Sequence, residues 1–210
     1  MQKNYGDIPN HYENLIYLIG WENIVISAVQ SPQNQKYVGM KVSEIAAERV
    51  VDSYTCAFDL LVEENCNVSI VNFIACEKDI ETILQHRDSC IISDSIYAEG
   101  GKPHPRLYGT FPKILQEYVK ERKILCLEQA IHKITGKPAK IMGIPKKGLL
   151  HKGFDADIVI FDMDTVQNNA SYVNPTSMAT GFSHVFVNGI LANNHDNFIN
   201  SGAGKVLRKK

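Results

Sequence analysis

The sequence predicts an α/β protein, and three observations carry that reading. Runs rich in β-branched residues alternate with amphipathic helical runs up to about residue 145. Short apolar segments separated by turn residues take over beyond it. The chain has 210 residues, a formal net charge of −1 and 44% hydrophobic residues, which suits a globular protein with one sizeable core. A strand–helix–strand rhythm argues for parallel β/α units. A boundary is therefore expected near residue 145, with β/α units at 1–145 and a small β module at 146–210.

The elements follow in order. The first twenty residues are polar and show no period. Residues 23–29 read as a buried strand closed by Gln30-Ser31-Pro32. Ser43 is placed to cap a helix at 44–50, and a second helix starts near Asp52 with Tyr54, Ala57, Phe58 and Leu61 on one face. Residues 67–75 form a second strand, and 77–86 a helix whose acidic first turn suits the helix dipole. A third strand at 89–93 ends beside Asp94. A loop rich in Gly and Pro spans 97–112. Helices at 112–121 and 127–135 come next, and Gly136 ends the second. Pro138 fits the first position of a short helix that stops near Gly143. The β segments beyond Pro145 are 148–151, 157–161, 184–187 with Ile190-Leu191, and 206–207. Asn188-Gly189 is a strong hairpin signal.

Bulk properties set aside several functions. The near-neutral charge gives no reason to expect nucleic acid or an anionic membrane as partner. No apolar run approaches membrane-spanning length, and the first residues hold no signal-peptide stretch. The five cysteines (Cys56, Cys66, Cys76, Cys90, Cys126) are odd in number and include no C-x-x-C pair. That argues against a disulfide framework and a structural zinc, and for reduced thiols in the cytoplasm.

Asp94 is the first candidate for chemistry. In β/α barrels the catalytic groups stand at the C-terminal ends of strands, where an Asp can bind metal or act as general base. An Asp after a strand is also an ordinary turn former. Beyond it, His104-Pro105-Arg106-Leu107-Tyr108-Gly109-Thr110-Phe111-Pro112 is a stiff stretch that presents Arg106. A guanidinium offers a carboxylate a planar, two-pronged match. Pairing with a local acid such as Glu99 is the other reading, and spacing does not separate the two.

Ile92-Ser93-Asp94 followed by the His-Pro-Arg stretch resembles the signature of the N-acyl-D-amino-acid deacylases, or D-aminoacylases. Leu127-Glu128-Gln129-Ala130-Ile131 and Thr135-Gly136-Lys137-Pro138-Ala139 extend the resemblance. So does the stretch from Lys147-Gly148 through Gly153-Phe154-Asp155-Ala156-Asp157 to Asp162, which alone would suggest only the wider amidohydrolase superfamily. The likeness runs from about Trp21 to Leu207. Ser95 departs from it by standing where the family has Gly. Cys76 and Cys126 occupy helix-start positions where the family tends to have a capping Ser.

The resemblance implies a fold, the last sector of a (β/α)8 amidohydrolase barrel followed by part of a small β-sandwich module. It implies hydrolysis of N-acyl-D-amino acids to a carboxylate and a D-amino acid by a zinc-activated water. The family's proton-handling Asp matches Asp94, which also adjoins the zinc as a secondary ligand. Its carboxylate-holding Arg matches Arg106, and His104 and Tyr108 support the loop or line the pocket. The family's His-x-His pair and strand-end histidines find no match. His11 and His86 lie away from strand ends, and His104, His132, His151, His184 and His195 are scattered. A complete eight-unit barrel takes about 250 residues, so Met1 reads as an internal start, a split gene or a truncation. The chain alone is then expected to bind no zinc tightly and to be inactive, with a separate polypeptide supplying the first barrel units. The alternatives are a non-catalytic remnant, or another amidohydrolase acting on cyclic amides.

Overall fold

A computed structural model describes residues 14–96, 102–195, 197–199 and 202–208. His11 and Glu99 lie outside the described residues. The chain divides into two compact units, Met1–Cys76 with Ile96–His104, and Glu77–Ser95 with Pro105–Lys210.

In the first unit, Asn14 caps helix α1 (Leu15–Ile19) by accepting from the Tyr17 N–H. Strand β1 (Ile24–Ala28) buries Ile24, Ile26 and Ala28 and leaves Val25 and Ser27 half-exposed. Alternate side chains of a strand point to opposite faces, so one face becomes core. Helices α2 (Val42–Arg49) and α3 (Ser53–Glu63) cover that face with Val42, Ile45, Cys56 and Leu60. Burying each large aliphatic side chain contributes roughly 1.5–3 kcal/mol.

Helix α3 begins where the sequence indicates. The Asp52 carboxylate accepts from the Tyr54 and Thr55 N–H groups, a cap worth about 1 kcal/mol. Its inner face differs from the expected one: Cys56 and Leu60 are buried, whereas Phe58 is 65% exposed. Helix α2 starts at Val42 rather than after Ser43. Glu44 accepts from the Lys41 N–H at 3.0 Å and closes that end.

Strand β2 (Ser69–Asn72) pairs antiparallel with β1, Ile24 opposite Asn72 and Ile26 opposite Ile70. This corrects the expectation of parallel pairing. A 3-10 turn at Pro32–Tyr37 and helices α2 and α3, rather than one crossover helix, separate the strands. An antiparallel partner is entered from the end at which the chain left β1, whereas a parallel partner is entered from the opposite end after a crossover.

The second unit opens on α4 (Glu77–Gln85), with Glu77 and Asp79 in its first turn. Residues 89–93 make no strand. The Ile91 N–H donates to the Lys133 carbonyl at 3.0 Å. The buried Lys133 ammonium donates to the carbonyls of His86 and Ser89 and to the Ser89 hydroxyl. A strand needs a ladder neighbour, and this stretch is bound to a helix end instead.

The His-Pro-Arg stretch, expected as loop, opens helix α5 (Arg106–Lys113) with Pro105 at its N-cap. Proline is tolerated at a helix start because N–H groups there have no intrahelical acceptor. Pro112 lies inside α5 rather than starting a helix, and Ile114–Glu121 continues as a π-helix. Proline removes one i→i−4 bond and crowds the preceding turn, and a wider turn accommodates both effects. Helix α6 (Leu127–Ile134) has Cys126 at its N-cap. Helix α7 (Gly136–Ile141) places Gly136 at its start, with Pro138 in its first turn. Leu84, Ile91, Ile114, Tyr118, Leu125 and Ala130 form the helical core of this unit.

The strands of the second unit all follow residue 145. They are β3 (Ile158–Phe161), β4 (Phe182–Val187), β5 (Ile190–Asn194) and β6 (Asn197–Phe198), in that spatial order and antiparallel. Asn188 and Gly189 both have positive φ, 51° and 78°, as a type I′ hairpin between β4 and β5 requires. Residues 148–151 and 206–207, expected as strands, pair with nothing in this sheet.

Candidate active site

Asp94 hangs just beyond a pinned segment. Ile91 is buried in the helical core and Ser89 is tied to Lys133. Asp94 itself has φ 47°. That left-handed conformation is uncommon for residues other than Gly, and Asp adopts it more readily than most. The left-handed residue is therefore the aspartate and not the position after it, so Ser95 needs no glycine-like freedom.

Arg106 is the first residue of α5. Its backbone is fixed by two hydroxyls on one carbonyl: Ser95 Oγ donates to the Arg106 oxygen at 3.3 Å and Thr110 Oγ1 at 2.8 Å. The guanidinium Nη1 lies 3.4 Å from Asp94 Oδ2, with side-chain exposures of 38% and 75%. So exposed a pair contributes at most about 1 kcal/mol to the fold.

The structure therefore brings Asp94 and Arg106 together. Tyr108 stands half-buried on α5 in the same unit. His104 belongs to the first unit, at the end of the Ile96–His104 stretch, whose Lys102 N–H donates to the Ser27 carbonyl.

Two neighbours of this site went unread in the sequence. A Cβ on Gly109 would run into Asn168 Oδ1 and come within 3.1 Å of the Ala170 methyl. Asn168 is itself fixed, its N–H donating to Gln116 Oε1 at 2.8 Å and its Oδ1 accepting from the Ala170 N–H at 3.1 Å. Close beyond it, Tyr172 lies within electrostatic reach of Arg106. Burial pushes the Tyr172 phenol up, and the Arg106 charge draws it back down. The segment around Asn168 is remote in sequence and carries no motif.

A family profile described as the Amidohydrolase family matches residues 35–190. An N-acyl-D-glutamate deacylase of Alcaligenes xylosoxydans xylosoxydans is 37% identical over 151 residues, 72% of this chain and 30% of the relative. A solved D-aminoacylase, studied for its binuclear metal centre, superposes with a TM-score of 0.83 at 31% identity, over 92% of this chain and 39% of its own. An N-acyl-D-glutamate deacylase of Bordetella bronchiseptica, solved with zinc and a phosphonate mimic of the tetrahedral intermediate, gives 0.75 at 31% identity, over 85% and 36%.

The two solved relatives carry metal. A catalytic zinc ordinarily takes three protein ligands and keeps one position open. Among the described residues no group of three or more His, Cys, Asp or Glu side chains could hold a metal ion, so those residues do not fit the metal. Nor is any helix among them long and apolar enough to cross a membrane. The fold is α/β, a portion of a (β/α)8 amidohydrolase barrel with a β module, although β1 and β2 pair antiparallel. With the profile across most of its length and the superposition on D-aminoacylases, the chain belongs to the amidohydrolase family, among the N-acyl-D-amino-acid deacylases, and spans about a third of their length.

Proposed function

We propose that this chain supplies the proton-handling carboxylate, Asp94, and the carboxylate anchor, Arg106, of an enzyme that hydrolyses N-acyl-D-amino acids. The observation that carries the proposal is the 3.4 Å approach of Arg106 Nη1 to Asp94 Oδ2. In such a substrate the amide nitrogen and the carboxylate carbon share one Cα and lie roughly 2.5 Å apart, from standard bond lengths and angles. A group that protonates the departing nitrogen must therefore stand beside the group that grips the carboxylate.

Arg106 takes the carboxylate through paired N–H groups and frees Asp94 from its ion pair. Asp94, exposed at the edge of the site, then accepts a proton from water and returns it to the leaving amine, a general base turned general acid. Tyr108 supports or lines this site. The zinc of the complete enzyme is held by groups outside the described residues, on the remaining barrel units, whether these continue this chain or come from a separate polypeptide. The barrel portion ends near residue 145 and the β module follows. Free thiols at Cys56, Cys66, Cys76, Cys90 and Cys126 favour the cytoplasm.

The test is release of D-glutamate from N-acetyl-D-glutamate by the chain alone and by the chain combined with a polypeptide carrying the rest of such a barrel. Turnover is expected in the combination, with kcat reduced on the order of 10²–10⁴-fold by Asp94→Ala. Turnover that survives Asp94→Ala unchanged would return Asp94 to the role of turn former.

A further inference from the structure

The sequence scatters its histidines, but the antiparallel sheet of the second unit brings His184 and His195 together. His184 stands on β4 opposite Asn194 of β5, and His195 directly follows that strand. His195 has φ 39°, a left-handed bend, and its N–H donates to the Ser183 carbonyl at 2.6 Å. The chain is thereby tied to β4 beside His184. The two imidazole rings meet with centres 5.3 Å apart and planes at 61°.

His184 is also prepared chemically. The Ser183 hydroxyl donates to the Ile160 carbonyl at 3.2 Å, since a carbonyl oxygen only accepts. Its one hydrogen is thus engaged, so in the 3.1 Å contact between the two side chains His184 Nδ1–H donates to Ser183 Oγ. The neutral ring then carries its lone pair on Nε2. Metal-ligating histidines are oriented in the same way, by donating the other ring N–H to a neighbouring oxygen. Phe186, 6.2 Å from His184 and inclined to it by 12°, steadies the ring from one side.

We propose that His184 and His195 form a two-histidine site for a borderline divalent cation, Zn2+, which clips the end of β5 to β4. Imidazole nitrogen suits zinc. Two imidazoles that share a tetrahedral zinc, each about 2.0–2.1 Å from it, have ring centres roughly 5 Å apart. The separation of these two rings fits that chelate. Two protein ligands are one fewer than a catalytic zinc ordinarily takes, so water fills the remaining positions and the ion acts as a fastener.

Titration of Zn2+ into the full chain, read by long-range proton–nitrogen-15 NMR of the imidazoles, tests this. The exposed thiols of Cys66, Cys76, Cys90 and Cys126 would compete and are alkylated first. Each ring is identified by loss of its signal in His184→Gln or His195→Gln. Both rings should shift together with the first equivalent of zinc, His184 through Nε2. Either substitution, and Ser183→Ala, should weaken zinc binding roughly tenfold or more, while His132→Gln should leave it unchanged. Should a substitution disturb the fold, the joint shift of the two rings in the unsubstituted chain still decides. Rings that respond at different zinc concentrations, or zinc bound with neither ring moving, would overturn the proposal and leave His184 and His195 as an aromatic contact only.

Discussion

Gly109 is fitted against Asn168 so closely that a Cβ at Gly109 would overlap Asn168 Oδ1. The helix that begins at Arg106 is thus held by a residue far along the chain. Gly109→Ala should destabilise the protein by about 1–3 kcal/mol, the usual cost of forcing extra volume into a packed contact. Adding Asn168→Ala opens the space, and the double variant should recover part of that loss relative to Asn168→Ala alone. Denaturant titration of the four proteins gives the coupling. Strictly additive effects would mean that the contact is not made.

Asp94 occupies a left-handed conformation, which costs an ordinary L-residue on the order of 1 kcal/mol. Asp94→Gly should therefore keep or raise the melting temperature, and Asp94→Val should lower it. The combined enzyme should lose turnover with both variants. Equal melting of Gly and Val variants would argue against the left-handed turn.

Local signals were legible in the sequence, and non-local pairing was not. Asp52 caps α3 and Asn188-Gly189 turns the β4–β5 hairpin because each feature depends on a few neighbouring residues. The direction of β2 depends on the path of the whole segment between the strands, which no local signal fixes. The fate of 89–93 depends on Lys133, which takes it as a helix-end partner. Helix α3 is apolar over much of its circumference, so the stripe through Phe58 and the one through Leu60 were equally plausible from its period. Asp94 and Arg106, singled out by their motif, stand 3.4 Å apart at the candidate site. Pro105 and Pro112 disguised a helix as a loop, and Asn168 and Tyr172 had no local mark at all.

Glu64 gives a pH dependence with a definite sign. It is buried and accepts from the Gln30 and Ser31 N–H groups, the Asn34 amide and the Ser31 hydroxyl. Burial pushes its carboxyl up, but these donors prevail and hold it at about 2, against an ordinary 4.5. A carboxyl depressed in the folded state stabilises the fold above its unfolded pKa. That stability is lost as pH falls through the folded value. Stability should therefore fall between 4.5 and about 2, and Glu64→Gln should flatten the fall. Denaturant midpoints across this window provide the check, and identical slopes in both proteins would remove Glu64 from the acid response.

Arg106 bears most directly on the proposed function. In the combined enzyme, kcat/KM is to be measured for N-acetyl-D-glutamate and for its α-carboxamide, with Arg or Lys at position 106. Losing the two-pronged grip on a charged partner costs about 1.5–3 kcal/mol, roughly 10–100-fold. Arg106→Lys should impose that penalty on the α-carboxylate substrate and little or none on the carboxamide. An equal penalty on both would show that Arg106 serves the Asp94 turn and not the substrate.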